Sequence, residues 1–154
     1  MPIRFATLSD VPALVEGAGR VHALTRFRSR PYDAQRVTQA FSELIEQRRS
    51  SYGFFVAENI VGQIVGTLIG SIQREILFDA CTASVMHFDV LPDSRRREYA
   101  VKLLAAFETW SANRGAIEVE FEIVGGTGRS NLGRLARRMG YHAIGGNYVK
   151  QPGA

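Results

Sequence analysis

The sequence has a single cysteine, two lysines and no long apolar run. Cys81 has no second cysteine to pair with, so an internal disulfide is excluded and the fold must rest on its core. The longest apolar stretches, such as residues 64–70, stop well short of the ~20 residues that a membrane span needs. No membrane partner is expected. The first residues, Met-Pro-Ile-Arg-Phe-Ala-Thr-Leu-Ser-Asp, lack the basic-then-apolar pattern of a secretion signal, which together with the lone cysteine points to a cytoplasmic protein. His22, His87 and His142 are far apart in sequence from one another, so no metal-ligand spacing appears and no metal is expected. Internal repeats and low-complexity linkers are also missing, and residues 1–154 are expected to form one domain.

Arginine, by contrast, is plentiful. Of 19 basic residues only Lys102 and Lys150 are lysine, and the formal net charge is +4. Guanidinium groups suit bidentate contact with phosphate or carboxylate, although most of them would simply solvate the surface. A chain of 154 residues is long enough to bury roughly 70% of the surface its unfolded form exposes, so one substantial core is expected.

Hydrophobic spacing divides the chain into elements. Residues 3–7 alternate as a short strand, and Ser9 or Asp10 can cap a helix with Pro12 in its first turn, running to about Leu24. Arg26, Arg28, Arg30 and Pro31 mark a loop. Asp33 then caps a second helix, with Val37, Phe41, Leu44 and Ile45 at helical period. Residues 53–57 and 63–72, rich in Phe, Val and Ile around Glu58-Asn59, read as a hairpin. Residues 83–90 form a further strand, and Ala100, Leu103, Leu104, Phe107 and Trp110 lie along one face of a long helix that Gly115 ends. Ile117, Val119, Phe121 and Ile123 alternate with Glu118, Glu120 and Glu122, a strand with one apolar and one acidic face. A short basic helix over 130–139 and strands around 141–150, broken by Gly145-Gly146, complete the chain.

The segment Phe88-Asp89-Val90-Leu91-Pro92-Asp93-Ser94-Arg95 is similar to the strand end and Val-x-Pro-x-x-Arg turn of the GNAT superfamily of acyl-CoA-dependent N-acyltransferases. Leu103-Leu104, eight residues beyond Arg95, and Met139-Gly140-Tyr141, like the family's Leu-Gly-Phe, extend the resemblance over nearly the whole chain. It implies an α/β (α+β) fold, with a mixed, largely antiparallel sheet of about six or seven strands flanked by about four helices. It also implies an acetyl-CoA site formed by Phe88 and Val90 at the strand end and by Arg95, Arg96, Arg97, Glu98, Tyr99 and Ala100 at the helix start. Independently of the family, a helix N-terminus presents backbone N–H groups and the positive end of the helix dipole to an anion such as a pyrophosphate. Glu98 departs from the family pattern, standing where its first glycine belongs. The carboxylate either repels the phosphates or turns to Arg95 or Lys102 at the surface.

The reaction the resemblance implies is transfer of an acetyl group from acetyl-CoA to a primary amine of a small molecule or protein. Such a transfer needs a base for the amine and an acid for the departing thiolate. His87 and Asp89, two apart on one strand face, and Glu120 and Glu122 on the acidic face of the next strand are the candidate catalytic residues. The family's tyrosine acid falls at Ala136, leaving solvent, Tyr141 or Tyr148. Arg26, Arg28 and Arg30 fall in the loop that in this family borders the acceptor. Gly125-Gly126-Thr127-Gly128-Arg129-Ser130 lacks the glycine and the lysine of a phosphate loop. The alternative is a GNAT-like binding or regulatory module with a degenerate pyrophosphate turn. Arg129, Arg134, Arg137 and Arg138 on the last helix lack the aromatics of a nucleic-acid surface, so nucleic acid is not expected as a partner. An exposed strand edge would permit a homodimer.

Overall fold

The computed structural model describes residues 3–47, 51–93, 95–122 and 129–153. Five strands lie in the sheet in chain order: β1 (Ile3–Phe5), β2 (Tyr52–Glu58), β3 (Ile64–Arg74), β4 (Cys81–Val90) and β5 (Ala116–Phe121). β1 to β4 pair antiparallel, and β4 pairs parallel with β5. That one parallel pairing requires a crossover, which α3 (Arg96–Ala112) supplies. α1 (Val11–His22) and α2 (Ala34–Gln47) follow β1, and α4 (Arg129–Arg138) follows β5. The mixed, mainly antiparallel architecture agrees with the expectation.

The sheet carries a core on each face. Towards α3 lie Phe55, Ala57, Leu68, Ala83 and Val90, packed on Tyr99, Leu103, Leu104, Phe107 and Trp110. Towards α1 and α2 lie Ala6, Phe54, Val56 and Ile69, with Leu14, Phe41, Leu44 and Ile45. The predicted apolar face of α3 is therefore the one that is buried. Glycines set how closely α3 approaches. A Cβ on Gly66 would come 2.8 Å from Leu103, and one on Gly70 would overlap the ring of Phe107, itself fully buried.

Several expectations need correction. The sheet has five strands among the described residues, because the segment predicted as strands over 141–150 is unpaired, with Ile144, Tyr148 and Val149 exposed. Gly145-Gly146 interrupts its alternation and offers no side chain to bury. Asp10 stands at the N-cap of α1 with Pro12 in the first turn, as expected, but its carboxylate accepts the Thr7 amide at 2.7 Å and makes no cap bond to the helix itself. Ile117 is 62% exposed. A register shift in the β4–β5 pair puts Ala116, Val119 and Phe121, not Ile117, on the core face. Ile123 and the glycine segment 125–128 lie outside the described residues.

Candidate functional site

Two places draw the predicted site residues together. The first is where β4 separates from β5. β5 reaches Val85, opposite Phe121, and β4 then continues to Val90 with only β3 beside it among the described residues. A bulge sits at the point of separation. Ile69 pairs with His87 and Gly70 with Val85, so Met86 is an extra residue, 59% exposed. Below the bulge Ala83 and Val85 face α3. Above it Phe88 and Val90 face α3, while His87 and Asp89 point to the α1 side. Leu91 donates its amide to Val65 at 2.8 Å, which holds the strand end against β3 where it turns into α3.

At that turn the Arg95 amide donates to Asp93 Oδ1 at 2.8 Å and the Arg96 amide to the Asp93 carbonyl at 3.1 Å, so Asp93 closes the turn that leads into α3. Tyr99 and Ala100 are buried in the core beneath. Glu98 turns to its neighbours. It accepts two hydrogen bonds from Arg95, at 2.8 and 2.7 Å, and one from Lys102 at 2.9 Å. These cations draw its carboxyl down to about 2. The Arg95 guanidinium also lies 5.7 Å from the centre of the Tyr99 ring. Arg97, Val101 and Lys102 line an open depression beside this group.

The second place is a cleft between α1 and the sheet. Ala13, Gly17 and Arg20 line it from the helix, and Thr67, His87 and Asp89 from β3 and β4. Burial holds His87 below its ordinary 6.5, with Asp89 acting weakly in the opposite sense, so the imidazole is neutral at pH 7. Glu120 pairs in register with Ser84 on β4 and is exposed, while Glu122 lies just past the end of β5 and is also exposed. Neither borders the His87 cleft. Ala136 is buried in α4. The Tyr141 hydroxyl donates to Glu108 at 2.7 Å and its ring packs on Phe121 at 5.0 Å. Burial and that carboxylate push its phenol well above the usual range. Tyr148 is fully exposed in the extended C-terminal segment. Arg20 was not singled out from the sequence, because nothing in its spacing distinguishes it from the other surface arginines.

The sequence of residues 21–141 matches the Acetyltransferase (GNAT) family. Among solved structures, a probable acetyltransferase superposes with a TM-score of 0.79 at 14% identity, covering 100% of this chain and 99% of that one. Glucosamine-6-phosphate N-acetyltransferase from Arabidopsis thaliana superposes with a TM-score of 0.74 at 15% identity, covering 98% and 97%. AAC(6')-Iy, in complex with the bisubstrate analogue CoA-S-monomethyl-acetylneamine, does so with 0.73 at 18%, covering 99% and 98%. Such identities show a shared fold. No curated protein matches the chain in sequence. The family model spans the sheet from β2 to β5 and the start of α3, and the chain belongs to the Acetyltransferase (GNAT) family.

Proposed function

We propose that the chain is an N-acetyltransferase that takes its acetyl group from acetyl-CoA and passes it to a primary amine. The observation that carries this reading is the split of the sheet at Met86. It leaves the upper part of β4 without a β5 partner among the described residues, next to the helix start. Along that opening the β4 backbone at Phe88 and Val90 offers an edge to an extended ligand. Two amides at the start of α3 are turned to Asp93, and the next ones in the first turn are those of Arg97 and Glu98, flanked by the side chains of Arg96 and Arg97. These are the groups that would meet a pyrophosphate.

Acetyl-CoA supplies a thioester carbonyl, at which the amine nitrogen forms the new C–N bond as the C–S bond breaks and the sulfur leaves with the electron pair. Neutral His87 accepts a proton from the amine nitrogen, directly or through one water, and Asp89 orients that nitrogen from the same strand face. Glu120 and Glu122, outside the cleft, act on a proton only through solvent. With Ala136 at the family's tyrosine position and Tyr141 bound to Glu108, the sulfur takes its proton from water.

A second reading, a GNAT fold that binds CoA weakly and serves as a binding module, is favoured by Glu98, whose contacts engage both Arg95 and Lys102. Calorimetric titration with acetyl-CoA separates the two readings. Saturable binding with a Kd at or below roughly 100 μM, about −5.5 kcal/mol, is expected. No heat and no thermal shift at millimolar ligand would favour the module.

A further inference from the structure

The charges around the α1 cleft bear on which amine it takes, an inference that rests on the acetyltransferase reading above. The free space in the cleft is about 20 Å3, room for one water-sized group. An amine nitrogen fits there beside His87 and Asp89, so the body of the acceptor must lie at the mouth. Arg20 lies at that mouth with half of its side chain exposed. A Cβ on Gly17 would stand 3.4 Å from its Nη2, an ordinary contact distance, so the guanidinium lies back along α1 beside Gly17. The Glu16 carboxylate stands 3.8 Å away and is 80% exposed, too distant for a hydrogen bond.

The chain beyond α1 adds more charge of the same sign. Arg26, Arg28 and Arg30 are all exposed, and none forms an ion pair among the described residues. This segment is tied back to α1 by Tyr32, whose hydroxyl donates to the Val15 carbonyl at 2.6 Å and whose ring lies 5.5 Å from that of His22. The cleft is thus lined by one carboxylate, Asp89, suited to an ammonium, and one guanidinium, that of Arg20, with three further exposed arginines on the segment that follows α1.

We propose that the acceptor carries an anionic group, a carboxylate or a phosphate, next to the amine that is acetylated, and that Arg20 holds this group at the cleft mouth. Arg26, Arg28 and Arg30 provide the field that draws it in. A polycation meets repulsion at the mouth, and a neutral amine finds no anchor there.

The test follows CoA thiol release with glycine, O-phosphoethanolamine, ethanolamine and spermidine as acceptors. At low salt at least one of the two anionic amines is expected to exceed ethanolamine in kcat/KM by about 10-fold, and which of them leads distinguishes carboxylate from phosphate. That preference should shrink in about 0.5 M salt. Arg20→Gln should remove it by raising KM about 10-fold, with kcat within about twofold, and Arg20→Lys should keep part of it. If Arg20→Gln lowers the melting temperature too far to assay, Arg20→Lys and the salt dependence decide. Ethanolamine or spermidine matching both anionic amines, or a KM indifferent to Arg20, overturns the acceptor inference and leaves the acetyltransferase reading standing. Acetyl-CoA binding without transfer to any of the four amines also overturns this inference alone. Absence of both binding and transfer overturns the acetyltransferase reading, and this inference with it.

Discussion

Arg95 and Lys102 both donate to Glu98, and the three contacts fix its carboxyl as an anion down to a pH of about 2. A phosphate approaching the start of α3 must therefore compete for two cations already engaged. Replacing Glu98 with glycine releases both and removes a charge from the first turn. The expected result is a Kd for CoA lower by about 3- to 10-fold, read by calorimetry; an unchanged Kd would mean that the phosphates bind away from this side chain. The identity of this residue, and its i−3 and i+4 partners, were legible in the sequence because helical spacing fixes such neighbours. The pairing of His87 with Asp89 on one face was legible for the same local reason. The place of Arg20 was not, since it depends on how α1 lies across the sheet. Nor was the separation of Glu120 and Glu122 from the cleft, which follows from where β5 ends and how it registers on β4.

Between elements, the closest fit is α3 on β3. Gly70 and Gly66 leave the hollows that Phe107 and Leu103 fill, and the Phe107 ring stacks on Trp110 at 5.6 Å. Gly70→Ala places a methyl group inside the Phe107 ring, an overpacking that costs about 1–3 kcal/mol. In a domain of this size that lowers Tm by about 2–4 °C per kcal/mol. A melting curve checks this, and Phe107→Leu added to Gly70→Ala should recover part of the loss; an unshifted Tm in Gly70→Ala would show that α3 gives way freely. The apolar face of α3 was plain from its period, and so was the hairpin. The bulge at Met86 left no trace in the sequence, because one extra strand residue alters pairing without altering composition. The supposed strands over 141–150 show the opposite error, since alternation around paired glycines is too weak to recruit a partner.

For the molecule as a whole, His87, Asp10 and Glu98 are all placed so as to work against acid. Burial depresses His87, and ion pairs depress Asp10 and Glu98. Groups lowered in the folded state bind fewer protons than in the unfolded chain, so stability is present above their ordinary values and is lost as the pH falls through the folded ones. Tm should thus fall first below about pH 6.5, as His87 is forced to charge, and again below about pH 4.5, where the unfolded chain takes up protons that Glu98 and Asp10 resist in the fold. The Glu98 share is exposed and should fade in salt. The raised phenols of Tyr32 and Tyr141 act in the other direction, with stability lost above about pH 10. Thermal melts across pH check the profile, and His87→Gln should flatten its first step; a first step that survives this change would assign it elsewhere. At this scale the order of elements and the arginine-rich charge were readable from the sequence.

The Lys102–Glu98 contact has a consequence for the acetyl donor itself. Activated thioesters slowly acylate the amines of the proteins that bind them, and here only two side-chain amines exist, at Lys102 and Lys150. Lys102 lies beside the helix start, where the donor would dock, but as an ammonium hydrogen-bonded to Glu98 at 2.9 Å, without the free electron pair that acylation needs. Lys150 is exposed in the extended C-terminal segment. An arginine-rich surface would thus offer an acetyl thioester few competing amines on the protein.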